Sequence, residues 1–200
     1  MAISLAKGQK ISLKKENGTV LTTFCIGANW GKIDGKGFFG GAKKIDVDLD
    51  LSVGVFGADK NLAGIVYFGN LNEPGISHSG DDRGGDDDDD GLDNEVVVVN
   101  LSQIPDNIDQ VVFVLNSYEG EDFAKIPFAQ IRLYEGTPES VNEVVATYNI
   151  ASDAKFSGFV AMVLGKLYRR NGEWKFSAIG EPTKDTKLED TLRTVAQKYV

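Results

Sequence analysis

Apolar and polar residues alternate along most of the chain, the period-two pattern of strands with one covered face. Ile11 and Leu13 alternate with polar neighbours, and Asn17-Gly18 supplies a hairpin turn before a partner strand over 20–26. Residues 29–44, rich in Gly and Lys, read as a loop. The cleanest alternation follows. Ile45, Val47, Leu49, Leu51, Val53 and Val55 take one face, and Asp46, Asp48, Asp50 and Ser52 take the other. Further strands are expected at 64–68, 96–101, 111–116, 128–134, 144–150, 159–167 and 173–179. Residues 96–99 and 111–115 are continuous β-branched or aromatic runs, which mark strands covered on both faces.

Turn signals separate these runs at Pro105-Asp106-Asn107, Gly136-Thr137-Pro138 and Asn171-Gly172. About ten short strands with almost no helix between them predict a mainly β chain folded as a two-sheet β-sandwich. The C-terminus changes period. Leu188, Leu192, Val195 and Tyr199 recur at helical spacing, and Thr186 with Glu189 forms a capping-box signature. An amphipathic helix over about 186–199 is therefore expected to lie on the sandwich. No repeat or second boundary interrupts the pattern, so residues 1–200 are expected to form a single domain.

Charge alters this picture in one place. The net charge is −9 over 200 residues, and residues 80–95 hold eight Asp, one Glu and one Arg. That segment alone carries −8, which leaves −1 for the other 184 residues. A near-neutral domain thus bears one long acidic loop. Nucleic acid is not expected as a partner, because binding to phosphates needs clustered Lys and Arg. No apolar run approaches the roughly 20 residues of a membrane span, and the start turns polar too early for a signal peptide. One cysteine, Cys25, fits a reducing cytosol, and one Cys with one His excludes a four-ligand Cys/His zinc site within the chain.

Two acidic stretches carry the candidate chemistry. In a strand, Asp46, Asp48 and Asp50 would sit about 6.6–6.8 Å apart on one face and repel one another. A cation between them makes the arrangement favourable, since Ca²⁺ takes six to eight oxygens at about 2.3–2.6 Å. The other reading is a solvated outer face, and the residues alone leave both open. The loop from Gly80 to Glu95 mixes Gly with acid, which lets a chain fold back and point several oxygens inward. Asp86, Asp88, Asp90 and Gly91 fit the start of a helix–loop–helix calcium loop, but Val97 stands where its final Glu belongs. That module is rejected, while hard-cation binding by carboxylates is retained.

Weaker signals have structural explanations. Gly35-Lys36-Gly37-Phe38-Phe39-Gly40 matches G-x-G-x-x-G, yet a strand rather than a helix follows it. Ser77-His78-Ser79 puts the lone histidine beside hydroxyls that point to opposite sides of an extended chain. Tyr168-Arg169-Arg170 and Trp174 flank the expected Asn171-Gly172 hairpin, which accounts for them without an anion or partner site.

Taken together, Leu5-Ala6-Lys7-Gly8-Gln9-Lys10-Ile11-Ser12-Leu13, Asp46-Val47-Asp48-Leu49-Asp50-Leu51-Ser52 and His78-Ser79-Gly80-Asp81-Asp82-Arg83 form an ordered set of motifs. Val112-Phe113-Val114 leading to Tyr118-Glu119, and the run from Gly165 to Phe176, extend it. In these segments the chain resembles the TerD family of bacterial tellurite-resistance and stress proteins. The resemblance implies a β-sandwich that binds calcium, one or two ions, with no established catalysis. It implies a cytoplasmic protein whose partners are other tellurite-resistance proteins, assembled at the inner membrane face. By motif match the acidic pattern falls on Asp46, Asp48, Asp50, Asp81, Asp82, Asp86, Asp88, Asp93, Glu95 and Glu119. Two departures stand out: Gly31 rather than Asp follows Trp30, and five Asp run together at 86–90 where the family alternates Gly and acid. Two other classes fit the residues: a metal-assisted hydrolase, and an acidic module that docks basic proteins without calcium.

Overall fold

The computed structural model describes residues 3–4, 9–11, 13, 18–36, 41–150 and 154–200. Among them the strands run in order β1 (Ile3–Ser4), β2 (Lys10–Ile11), β3 (Thr23–Trp30), β4 (Ile33–Lys36), β5 (Ala42–Ile45), β6 (Leu49–Gly57), β7 (Leu62–Val66) and β8 (Asn72–Glu73). They continue as β9 (Ile76–His78), β10 (Glu95–Asn100), β11 (Ile108–Ser117), β12 (Ala129–Thr137), β13 (Ser140–Asn149), β14 (Ala161–Arg170) and β15 (Glu173–Thr183), followed by helix α1 (Leu188–Lys198). One sheet has the order β1-β13-β12-β3-β10-β9-β8, and the second has the order β2-β15-β14-β11-β6-β7. Neighbours are antiparallel except β1 against β13. The mainly β, two-sheet architecture expected from the alternation is the one that forms.

The pattern explains which faces are covered. Phe24, Ile26, Ala28 and Trp30 of β3 meet Leu49, Leu51 and Val53 of β6 in the core between the sheets. The continuous apolar run of β11 serves two cores at once. Val111, Phe113 and Leu115 face inward, while Val112 and Val114 pack with Phe56, Val163 and Val195 beneath α1. Residues 96–99 behave similarly, with Val97 and Val99 in the core and Val96 against Cys25 and Tyr134 outside it. The Asn171-Gly172 turn between β14 and β15 has both residues at positive φ, 55° and 77°, as a two-residue hairpin of matching twist requires.

Three local expectations are corrected, and one open alternative is decided. Residues 29–44 are not one loop: β3 runs to Trp30, and β4 and β5 form a separate hairpin that sets Ile33 opposite Ile45 and Asp34 opposite Lys44. Ile45 belongs to that hairpin and is 45% exposed, so the long alternating strand begins only at Leu49. The face bearing Asp50 and Ser52 is not a solvated outer face, since both residues are buried. The capping box at Thr186 does not form. Lys187 caps α1 without a side-chain bond, and its carbonyl instead accepts from the Thr191 N–H and, at 3.1 Å, from the Thr191 hydroxyl. Residues 5–8 of the opening motif, Ser12 and Asn17 of the first hairpin, and residues 37–40 of the G-x-G-x-x-G match lie outside the described residues.

Helix α1 is tied to the sheet by a buried polar contact as well as by apolar packing. Asn116 Nδ2 of β11 donates to Thr191 Oγ1 at 2.9 Å, and Thr191 is fully buried. Replacing that hydroxyl by a methyl leaves the amide without an acceptor. Thr191→Val is expected to cost about 1–3 kcal/mol in urea denaturation; a cost indistinguishable from zero would show that apolar packing alone seats the helix.

Candidate metal centre

Where β6 begins, β7 has not yet joined it; their pairing starts at Val53. The outward backbone groups of Leu51 therefore lack a strand partner, and two side chains replace it. Glu95 Oε2 accepts the Leu51 N–H at 2.7 Å, and His78 Nε2 donates to the Leu51 carbonyl at 2.9 Å. Glu95 Oε1 also accepts the Asp82 N–H at 3.2 Å, which fixes the start of the acidic loop. The Gly80 N–H donates to His78 Nδ1, so the ring carries its proton on Nε2. Burial disfavours charge on His78, but Glu95, 3.4 Å from Nε2, and the Leu51 carbonyl outweigh it and raise its pKa. Burial likewise raises the Glu95 pKa, against the pull of His78 and the Leu51 N–H.

The acidic loop is pinned at its other side by Trp30. The indole N–H donates to the Val47 carbonyl at 2.8 Å, and the Val47 N–H donates to the Gly84 carbonyl at 2.9 Å. Asp86 pairs its backbone with Trp30 and Lys32. Gly85 adopts φ of +72° against the indole, where an added Cβ would lie 2.6 Å from a ring carbon. Only glycine fits there.

Within this frame the predicted acids divide into those already engaged and those left open. Asp82 Oδ1 accepts the Gly84 and Gly85 N–H groups, and Asn94 Nδ2 bridges Asp82 and Asp86. The Asp93 side chain is enclosed and receives Arg132 Nε at 2.8 and 3.0 Å; burial pushes its pKa up to about 6 while the guanidinium pulls it down. Asp46 is exposed, 3.5 Å from Lys32, and Asp88 is exposed in the loop. Of these acids, all part of the pattern that the resemblance implies, Asp82, Asp86 and Asp93 accept hydrogen bonds, while Asp46 and Asp88 stay exposed.

Asp48, Asp50 and Asp81 are brought together, with one carboxylate oxygen from each lying within 4.8 Å of the others. Asp50 is only 7% exposed, and among the described residues no hydrogen bond or ion pair engages its carboxylate and none partners the enclosed Asp48 Oδ1. Asp81 accepts from Arg83 Nε at 2.8 Å. The three open onto a depression of about 330 Å³ shared with Asp46, Arg83, Glu119, Glu121, Phe68 and Tyr118. Glu121 and Phe68 were not found from sequence. Glu121 stands two residues beyond the predicted Glu119, and Ser117 Oγ at the end of β11 donates to it.

The TerD domain profile matches residues 1–199. This chain belongs to the TerD family. It is 38% identical over 207 residues to the stress response protein SCP2 of Bacillus subtilis, covering 96% of this chain and 98% of that protein. It is 30% identical to the tellurium resistance protein TerD of Serratia marcescens, covering 90% and 91%. A solved homologue of the telluride resistance protein TerD from Streptomyces coelicolor superposes with a TM-score of 0.65 over 88% of this chain and 95% of that one, at 15% identity, which supports the fold.

Within this TerD fold, clustering has an electrostatic cost. Burial first, then the charges of Asp81, Glu95 and Glu121, raises the Asp48 pKa from 3.8 to about 6. Burial, Glu95, Asp48 and Asp81 raise that of Asp50 to about 7. A raised folded-state pKa means the folded chain holds these protons more tightly than the unfolded chain. In metal-free buffer their contribution is fully present below about pH 4 and is lost as pH rises through 6 to 7. The melting temperature without metal is expected to fall between pH 5 and pH 8, and Asp50→Asn is expected to flatten that fall. Equal slopes for both proteins would show that Asp50 is not a buried, unneutralised charge.

Proposed function

We propose that this TerD-family chain is a non-enzymatic, cytoplasmic calcium-binding protein of the tellurite-resistance and stress-response type. Calcium orders the acidic loop and prepares a surface for partner proteins. The observation that carries this proposal is Asp50, a residue only 7% exposed whose carboxylate has no hydrogen-bond partner among the described residues, beside Asp48 and Asp81. A buried, unpaired carboxylate is costly, and a divalent cation removes the cost. The donor set fits a hard cation: all three groups are carboxylates, and Asp46 and Glu119 line the same depression. Calcium suits it better than Mg²⁺, which demands near-ideal octahedral geometry and keeps its waters. Asp48, Asp50 and Asp81 would hold one ion, and the ion would supply charge neutralisation.

The non-enzymatic assignment is supported by His78. Both of its ring nitrogens are engaged by Leu51 and Gly80, and the Ser79 hydroxyl accepts the Val96 N–H. Partners in this proposal are other tellurite-resistance proteins at the inner membrane face. Among the described residues no helix is long and apolar enough to cross a membrane.

Calorimetric titration is expected to show calcium binding tighter than magnesium. Asp50→Asn should weaken it about tenfold or more, roughly 1.4 kcal/mol, whereas Asp88→Asn should leave it nearly unchanged. Calcium at about 100 times its dissociation constant should add roughly 2.7 kcal/mol of stability, a rise of about 5–11 °C in melting temperature at neutral pH. A melting temperature indifferent to calcium, or equal sensitivity to both substitutions, would refute the assignment.

A further inference from the structure

A second depression adjoins the carboxylate cluster. Asp50 and Asn116 stand opposite each other in the register of β6 and β11, and Asn116 reaches Thr191 of α1, so both lie on the face that the helix covers. Where α1 begins, that face leaves a depression of about 440 Å³. Tyr67, Phe68 and Tyr118 line it with Leu188 and Glu189 of the helix, and Asp50 lines it as it lines the metal cluster. The rings meet edge to face, with centroids 5.2 and 5.9 Å apart. Elsewhere in the chain Arg132, Lys155, Lys166 and Arg169 each stand over an aromatic ring, but among the described residues no cation stands over these three. Asp50 is 7% exposed, and no donor among the described residues engages its carboxylate. The lining is acidic, with Asp50 and Glu189 against Lys187. Glu189 and Asp190 in the first turn of α1 offset the positive end of the helix.

Ring faces attract cations, and an enclosed carboxylate without a donor is satisfied by N–H groups. A guanidinium meets both demands at once. It is planar and weakly hydrated, and it stacks on aromatic faces while its N–H fork pairs with a carboxylate. We propose that this depression binds an arginine side chain of a partner protein, its guanidinium against the aromatic wall and hydrogen-bonded to Asp50. Thr186, Lys187 and Tyr118 are exposed, which admits a side chain still attached to its own backbone. A stacked neutral ring would leave Asp50 unpaired, and an anion would meet it with the wrong sign. A lysine ammonium is strongly hydrated and has no plane to stack. The inference goes beyond the calcium reading and does not require it. An ionised carboxylate has about four lone-pair positions on two oxygens, so a metal on one side of Asp50 leaves acceptor capacity on the other.

The test is titration of the full chain with acetyl-Gly-Arg-Gly-amide and with its citrulline counterpart, which keeps the shape and removes the charge. Calcium is chelated throughout, so the result stands apart from the calcium assignment. The salt concentration is about 150 mM, which screens fields beyond about 8 Å. Backbone amide chemical shifts give the affinity and the place. The arginine peptide is expected to shift Tyr118, Leu188 and Glu189 and to bind about tenfold or more tightly than the citrulline peptide. The lysine counterpart should be several-fold weaker. Tyr118→Ala, at an exposed position, should weaken the arginine peptide about fivefold. Asp90→Asn in the acidic loop should leave it unchanged. Equal affinity for arginine and citrulline, shifts confined to the acidic loop, or equal losses in both variants would each overturn the proposal. Tighter binding of free butylguanidine than of the peptide would make the ligand a small molecule, and a dimer of the unliganded chain that the peptide dissociates would make it a second copy; either would overturn the partner assignment. The arginine–citrulline comparison uses the unaltered protein, so it decides even where a variant fails to fold.

Discussion

The buried Glu95 carboxylate is the interaction on which the acidic end depends. It belongs to β10 in one sheet, yet it holds the Leu51 N–H of β6 in the other and the Asp82 N–H of the loop. No water-facing residue could do this, because a hydrogen bond between layers must hold its geometry inside the core. Losing it would leave a backbone donor and a charged group buried together, a combination more costly than an ordinary lost hydrogen bond. Trp30 performs the matching task from β3 with a neutral donor. Between these two anchors the segment from Asp46 to Asp50 has little freedom, and its carboxylates stay where repulsion alone would not leave them.

That rigidity separates acids by role. Carboxylates with a local or cross-strand donor, such as Asp82 with its loop amides or Asp93 with Arg132, complete the scaffold. Asp48 and Asp50, whose carboxylates lack a side-chain or backbone donor among the described residues, gather with the Arg83-paired Asp81 where β7 has not yet covered β6. The chain thus spends part of its acid content on building the loop and leaves a small remainder unneutralised. Aromatic residues frame that remainder: Tyr67, Phe68 and Tyr118 meet edge to face, and Tyr118 is 62% exposed.

Much of the fold was legible because alternation is a direct consequence of strand geometry. The double-sided burial of β11 followed from its uninterrupted apolar run. The β4–β5 hairpin was hidden because Gly and Lys dilute its pattern, and its specific contacts, such as Asp34 to Lys44 at 3.0 Å, are invisible to periodicity. The acidic site was legible as composition but not as a sorting. Arg132, which occupies Asp93, stands 39 residues away, and nothing near Asp93 announces it. Glu121 sits outside both acidic stretches and joins the depression only because β11 ends there. The failed capping box shows the same limit: Thr186 and Glu189 have the right spacing, but the backbone enters the helix one residue later.

The position of β3 has a consequence for how the chain is made. It lies between β10 and β12, pairing Ile26 with both Val97 and Leu133. A strand formed early therefore waits for a neighbour more than a hundred residues further on. At roughly 5–20 residues per second of synthesis, that wait lasts about 5–20 s. During it, Phe24, Cys25 and Ile26 present an unpaired apolar edge, the kind that recruits other chains. The long-range pairing that makes the finished core so well covered also makes the nascent chain the stage at which this protein is most exposed to aggregation.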